Sequence, residues 1–213
     1  AHNQSVVNLF SRLDSDMVLP SRCETPIDCN EQSRSLAAVT ELVTEFYKIH
    51  SKIKESHGIQ HVSRVHQHAV RAISCHVPPL SPQQAMEVES AALLHDVDDS
   101  KYFAQHKEYE NARSILNAAC VDDMVTANIL EMISLVSCSK NGNLLPESIV
   151  TAAAYYKLIP RWADRLEAAG AVGVVRCYQY NREHNLVFSS PNSPHATTED
   201  QVWAYATPER FDK

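Results

Sequence analysis

Two short stretches place histidine and aspartate where an apolar helix should bury leucine. They read AALLHD at residues 91–96 and WADRL at residues 162–166. Imidazole and carboxylate groups are rarely buried without a partner. One divalent metal ion satisfies both kinds of group at once. The sequence therefore predicts a metal site that uses His95, Asp96 and Asp164.

A third element adds further histidines. On a helix that begins near residue 59, His61, Arg64 and His68 fall on one face with His57 just before them, whereas His66 points away. One histidine at the edge of a core is usually structural, but an aligned group is more typical of a site. His61 is the strongest ligand candidate because it is level with the start of the apolar stripe.

The neighbours His95 and Asp96 point about 100° apart on an ideal helix, so both reach one ion only near a helix end. The alternative is a histidine C-cap followed by a loop aspartate. Asp164 has Ala168 and Ala171 one and two turns later, and a face of small residues permits close packing.

A surface ion pair with a neighbouring arginine is the alternative for Asp164. The candidates for that pair are Arg161 and Arg165.

Two imidazoles and two carboxylates form a borderline-to-hard donor set. Such a set favours one divalent ion, with Mn²⁺ preferred and Mg²⁺, Fe²⁺, Co²⁺ or Ni²⁺ as alternatives, over structural zinc. Four protein ligands around a six-coordinate ion leave room for water and a substrate oxygen. The ion would lower the pKa of that water and supply hydroxide as a nucleophile.

The elements that must position these residues are helices. The chain has 213 residues, only 4 glycines and apolar residues at helical spacing, which together predict an all-α, single-domain bundle. We expect an N-terminal arm or lid at 1–30, a helical domain at 31–181 and an irregular C-terminal segment at 182–213 packed on the domain. The predicted helices span about 31–56, 59–77, 82–95, 107–119, 122–136 and 160–178.

Charge and composition narrow the partners. The formal charge of −7 argues against a nucleic-acid scaffold but permits a small anionic substrate beside a bound cation. Six scattered cysteines without a C-x-x-C pair suggest reduced thiols and a cytoplasmic protein. We expect no membrane span and no signal peptide. The sequence leaves the oligomeric state open.

The order His61, His95-Asp96, Asp164 resembles the H…HD…D signature of the HD-domain phosphohydrolase superfamily. The similarity covers roughly residues 35–180 and is sharpest in SHGIQHVSRV, AALLHDVDDSK and ADRLEA, at 56–65, 91–101 and 163–168. It implies an HD-type helical bundle like that of the small single-domain hydrolases, some of which are nucleotide pyrophosphatases. It also implies that the metal ligands are His61, His95, Asp96 and Asp164.

The resemblance further implies hydrolysis of a phosphate ester or anhydride, with a nucleotide as the favoured substrate. Asp99 and His57 are the catalytic candidates; Asp99 could orient the attacking water or act as general acid or base, and His57 could also bind a phosphate oxygen. Arg64 and Lys101 are candidates for binding phosphate oxygens. Lys101 could instead be a solvent-facing loop residue.

Three departures from the family pattern concern the substrate pocket more than the metal. Trp162 occupies a position where relatives carry aspartate, the stretch from Ala152 to Arg161 is longer, and no further helix is evident after Asn181. Two other functions therefore stay open. One is a di-iron oxygenase, for which His106 would be the one additional histidine between Asp96 and Asp164; the other is a catalytically silent nucleotide-binding module.

Overall fold

The computed structural model describes residues 29–105, 107–142, 144–187 and 195–205. Within these ranges the chain is all-helical and has no strand, as predicted. We number the helices in chain order: α1 Cys29–Ile49, α2 Ile59–Ser74, α3 Pro82–Leu94, α4 Glu110–Ala118, α5 Asp123–Val136, α6 Cys138–Asn141, α7 Ile159–Leu166, α8 Gly170–Glu183 and α9 Glu199–Tyr205. One 3-10 segment, Glu55–His57, lies between α1 and α2, and another, Ala152–Leu158, lies between α6 and α7.

Helix α3 is the centre of the bundle. It begins with a capping box in which the Ser81 hydroxyl accepts from the backbone N–H of Gln84, and the Gln84 side chain accepts from the N–H of Ser81. Pro82 occupies the first turn. From Met86 to Leu94 nearly every residue of α3 is buried, because α1, α2, α5 and α7 all pack against it. His95 and Asp96 therefore leave this helix inside the bundle.

The apolar stripes read from the sequence form one connected core. Helix α1 contributes Val39, Val43 and Phe46, and α2 contributes Val62 and Val65, all fully buried. Burial of each such side chain contributes about 1.5–3 kcal/mol of transfer free energy. This core aligns α2 against α3 and fixes the relation between His61 and His95.

Three predicted helix ends are wrong. Helix α1 ends at Ile49 and α2 at Ser74, so both are shorter than predicted. Helix α4 begins at Glu110 rather than 107, since Tyr109 has a left-handed backbone with φ 54°. Past the end of α1, Ile53 continues the apolar spacing from a loop that packs on the core, whereas Val77 beyond α2 is 88% exposed.

The helix predicted over 160–178 is two helices, α7 and α8. Gly170 has φ +60°, which lets the chain turn between them. A Cβ on Gly173 would lie 2.2 Å from the carbonyl oxygen of Ala168, so any side chain there would clash with backbone. Ala168 and Ala171 consequently do not continue the helix face of Asp164, and that part of the prediction is wrong.

The C-terminal segment, expected to be irregular, contains the short helix α9. Nearly all of the predicted N-terminal arm lies outside the described residues. The divisions at residues 30 and 181, and the packing of the last segment on the domain, stay predictions. None of the described helices combines the length and apolar character needed to cross a membrane.

Candidate metal centre

Four polar side chains converge where α2, α3 and α7 meet. His61 lies in the first turn of α2, His95 caps the C-terminus of α3, Asp96 follows it, and Asp164 lies in α7. The three helices pack against one another pairwise, which brings together residues 34 to 103 positions apart in the chain. We call these four residues the histidine–aspartate cluster.

The atoms of this cluster are spaced like ligands of one ion. The two Nε2 atoms of His61 and His95 are 3.2 Å apart. Asp164 Oδ1 is 3.3 Å from His61 Nε2 and 3.8 Å from His95 Nε2, and Asp96 Oδ2 is 3.6 and 3.4 Å from the same atoms. Atoms about 2.1 Å from a common ion lie about 3.0 Å apart at right angles and about 3.4 Å apart in a tetrahedron. The residues present therefore fit a divalent cation.

The end of α3 explains how two neighbouring residues reach one point. Leu94 is the last helical residue, and His95 keeps near-helical angles (φ −59°, ψ −29°) while the chain begins to turn. His95 Nδ1 lies 2.8 Å from the carbonyl oxygen of Ala92, which can only accept a hydrogen bond. Nδ1 of the neutral ring therefore carries the proton, and the lone pair of Nε2 is available for a metal ion. The C-cap alternative is thus correct and compatible with a ligand role.

The electrostatics of the cluster favour bound positive charge. Burial raises the pKa of Asp96, but the charge of His95 outweighs it and holds that pKa far below its usual range. Burial likewise raises the pKa of Asp164, and the hydrogen bond with His61 brings it below its usual value. Among the described residues, the ion-pair partners of both aspartates are imidazoles, and no lysine or arginine supplies a permanent charge.

The two histidines differ in their protonation. Burial lowers the pKa of His95, yet the nearby charges of Asp96 and Asp164 overcome it and raise the pKa to about 9. Burial lowers the pKa of His61 and is not overcome there. Without a metal ion, a proton on His95 therefore partly balances the two carboxylates. A cation that binds must displace that proton.

A second group adjoins the first and is here called the lysine cluster: His57, Asp99 and Lys101. Lys101 Nζ lies 2.9 Å from His57 Nε2 and 3.5 Å from Asp99 Oδ2. One ligand atom each from His57, Asp99 and neighbouring Asp96 lie within 4.8 Å of one another. Geometry alone would permit a cation there, but the ammonium of Lys101 already provides one. Burial lowers the pKa of His57, so its ring is neutral and can accept from Lys101.

The structure places the remaining predicted residues in different surroundings. Arg64 contacts neither cluster through its Nε, which donates to Glu167 Oε2 at 2.5 Å. His66 points away, as predicted, and pairs with Glu89 of α3. The alternative pairing of Asp164 with an arginine is wrong, because Arg161 and Arg165 donate to backbone carbonyls of residues 142 and 144. Trp162 is 45% exposed on α7.

Helix α8 covers the lysine cluster with residues that sequence reasoning missed. Arg176 Nη2 donates to the Ser56 carbonyl at 3.1 Å, and Glu183 accepts from both the N–H and the hydroxyl of Ser56. The Tyr180 ring is 5.8 Å from His57, and Lys101 Nζ is 5.3 Å from its centre. These residues are 79 to 127 positions away from their partners, so no local pattern could have identified them.

Between the start of α2 and α8 lies a cavity of about 330 Å³. Its lining combines the guanidinium groups of Arg64 and Arg176, the carboxylate of Glu55, amides and an apolar wall that includes Val172 and Val175. The Nε atom of Arg176 is buried and has no hydrogen-bond partner in the described part of the chain. Arg176 also bonds to Ser56, next to His57, and the lining residue Gln60 precedes His61, so the cavity lies beside the segment that carries these two histidines.

No protein-family model matches the chain. His106, which the di-iron alternative would use, lies outside the described residues.

The chain is similar in structure or in sequence to known proteins. A crystal structure of a Lactobacillus plantarum protein, a structural-genomics target, superimposes with a TM-score of 0.57 over 80% of this chain and 73% of the other, at 22% identity. This likeness shows that the fold is shared. The uncharacterized protein L803 of Acanthamoeba polyphaga mimivirus is 37% identical over 191 residues, covering 84% of this chain and 74% of the viral protein. The chain belongs to the same family as that viral protein, whose description names no activity.

Proposed function

We propose that this protein is a metal-dependent hydrolase of phosphate esters or anhydrides. One observation carries the proposal: His61, His95, Asp96 and Asp164 follow the H…HD…D order of HD-domain phosphohydrolases. The Nε2 atoms of the two histidines lie 3.2 Å apart, and each lies 3.3–3.8 Å from an oxygen of both aspartates. A loop aspartate or a solvated ion pair would not require this convergence of three helices.

The cluster would hold one divalent ion, and the donor set of two imidazoles and two carboxylates favours Mn²⁺. When bound, the ion would polarise a phosphoryl oxygen and lower the pKa of a water molecule. His95 presents Nε2 because its Nδ1 bonds to Ala92. The carboxylates of Asp96 and Asp164 balance the charge of the ion.

The lysine cluster would handle the proton and the substrate anion. His57 Nε2 is neutral and carries a lone pair, so it can accept a proton, and Asp99 Oδ2 lies 4.0 Å away as a second carrier. Lys101 Nζ, 3.5 Å from Asp99, is a point charge suited to a phosphate oxygen. Asp96 joins this group to the metal ligands, which puts both sets of atoms within reach of one small substrate.

A nucleotide is the favoured substrate because the adjoining cavity combines cationic and apolar lining. Its volume of about 330 Å³ is at the lower end of small-molecule sites. Arg64 and Arg176 would bind anionic groups, and Val172 and Val175 would contact the organic part. The overall charge of −7 is therefore no obstacle, because the lining carries two guanidinium groups against the single carboxylate of Glu55.

The test is a panel of phosphate esters and nucleotides assayed with Mn²⁺, Co²⁺, Ni²⁺ or Mg²⁺, with phosphate and pyrophosphate release measured separately. We expect turnover that a chelator abolishes and added Mn²⁺ restores. A panel without product, in which a nucleotide nevertheless raises the melting temperature, would replace this proposal with the silent nucleotide-binding module. Two irons per purified chain would instead favour the oxygenase.

A further inference from the structure

Glu167 is a buried carboxylate that the proposed chemistry does not use. It is 2% exposed and lies just beyond the end of α7. Arg64 Nε lies 2.5 Å from its Oε2, and His68 Nε2 lies 3.0 Å from its Oε1. A charged group at this depth is costly unless it is paired. Two partners from α2 therefore hold the Glu167 carboxylate in one orientation.

That orientation faces His61. Glu167 follows Asp164 by three residues, and its N–H bonds to the Asp164 carbonyl at 3.0 Å, so both side chains project from one helical turn. Asp164 Oδ1 lies 3.3 Å from Nε2 of His61, and Glu167 Oε2 lies 4.0 Å from Nδ1. A single turn thus places a carboxylate at each nitrogen of the imidazole.

The Nδ1 atom of His61 needs such a neighbour. It is buried, and no described residue offers it a hydrogen bond. The other histidine of the cluster has its Nδ1 fixed by the Ala92 carbonyl, but His61 has no comparable backbone acceptor. At 4.0 Å the Glu167 carboxylate acts by its charge rather than by a hydrogen bond, and a negative charge there favours the proton on Nδ1.

On the basis of the metal site proposed above, we propose that Glu167 is a positioning residue that keeps the proton of His61 on Nδ1 and leaves Nε2 to the metal ion. Arg64 and His68 hold the Glu167 carboxylate in place. This gives Arg64 a function besides the substrate contact expected from the sequence. Partners of this kind behind a metal-bound histidine raise its basicity and fix its orientation.

Glu167→Gln tests the role because it keeps the shape of the side chain and removes the charge. We expect the Kd for Mn²⁺, measured by calorimetry without substrate, to rise about 10–100-fold. Glu89→Gln is the matched control: Glu89 accepts from His66 of the same helix at 2.8 Å but faces away from the cluster. Its Kd should stay within about twofold of the parent value.

A second readout separates positioning from general stability. Two-bond ¹H–¹⁵N spectra of the metal-free protein should show a larger share of the Nδ1–H form of His61 in the parent than in Glu167→Gln. If Glu167→Gln fails to fold, Arg64→Gln is the alternative test. The Arg64 side chain is 40% exposed to solvent, and its replacement frees the Glu167 carboxylate from this partner. The expected rise in Kd is then about threefold to tenfold.

The possible failures can be told apart. Unchanged Kd and tautomer in Glu167→Gln would overturn the positioning role and leave the hydrolase proposal intact. Tight Mn²⁺ binding that depends on Glu167, without hydrolysis of any phosphate ester, would support the positioning role and overturn the hydrolase. A parent protein that does not bind Mn²⁺ would overturn both.

Discussion

The histidine–aspartate cluster and the lysine cluster both combine imidazole and carboxylate groups, but they differ in whether a lysine or arginine supplies positive charge. The first holds two imidazoles and two carboxylates without a lysine or arginine partner among the described residues. The second has Lys101 between its imidazole and its carboxylate, 2.9 and 3.5 Å away. Among the described residues, only a proton on His95 balances the carboxylates of the first cluster, whereas the second contains the permanent charge of Lys101.

The difference shows that residue types alone do not define a metal site. His57, Asp96 and Asp99 satisfy a simple distance criterion for metal ligands, as do His61, His95 and Asp164. The position of one ammonium group separates them, because a second cation beside Lys101 would be repelled. We therefore expect one ion per chain, bound in the histidine–aspartate cluster.

The largest effect should follow from Asp96→Ala, since Asp96 belongs to the first cluster and adjoins the second. We expect loss of Mn²⁺ binding in calorimetry and a fall in kcat/KM of about a thousandfold or more. Asp123→Ala, an exposed carboxylate in the first turn of α5, is the control. Full metal-dependent activity in Asp96→Ala would remove the basis for the proposed function.

Lys101→Met should separate the clusters. It keeps the length of the side chain and removes its charge, so kcat should fall about 100-fold while the Kd for Mn²⁺ in the histidine–aspartate cluster stays within about threefold. The number of metal ions bound per chain tests whether Lys101 excludes a second cation. Two ions in the parent protein would show that Lys101 does not exclude a second cation.

The pH dependence of metal binding should reflect His95. Its pKa of about 9 means that the metal-free protein holds a proton there at neutral pH, and an incoming ion must displace it. Raising the pH removes this proton, so the apparent affinity for Mn²⁺ should increase by up to about tenfold per pH unit from about pH 6.5 to 8.5. His57 should not contribute, because its pKa lies below its usual value. Affinity that is flat or falls over this range would contradict the assignment.

The smallest effect should come from Ser81→Ala, which removes the N-cap of α3 at the end opposite His95. The free energy of unfolding should fall by about 1 kcal/mol in urea denaturation. The Kd for Mn²⁺ and kcat should stay near the parent values, because the C-terminus of α3 is held by its buried core contacts. If the Kd for Mn²⁺ and kcat changed by different factors, the N-cap of α3 would influence the clusters at the opposite end of the helix.

Local signals in the sequence predicted much of the fold. The apolar spacing and the scarcity of glycine identified an all-α bundle correctly, and the predicted start of α3 at residue 82 agrees with the structure. Helix ends were less predictable: past α1, Ile53 continues the helical spacing from a loop that packs on the same core, and the left-handed Tyr109 delays the start of α4. The break after α7 was missed, although Gly170 and Gly173 mark the point where the chain turns.

The candidate site also has a part that the sequence predicted and a part that it did not. The residue types and order of His61, His95, Asp96 and Asp164 were evident from the sequence alone, because polar groups that interrupt apolar stripes are conspicuous. Glu167, one turn after Asp164, had a local signal of the same kind that helical spacing could have revealed.

Only the tertiary structure decided which cations and carboxylates meet. It placed Lys101 against His57, Arg64 on Glu167, and Arg176 over Ser56. Hydrophobic burial and capping act through near neighbours and leave a periodic trace in the sequence. Contacts between residues far apart in the chain depend on how the helices pack, and a sequence records them only as isolated charges.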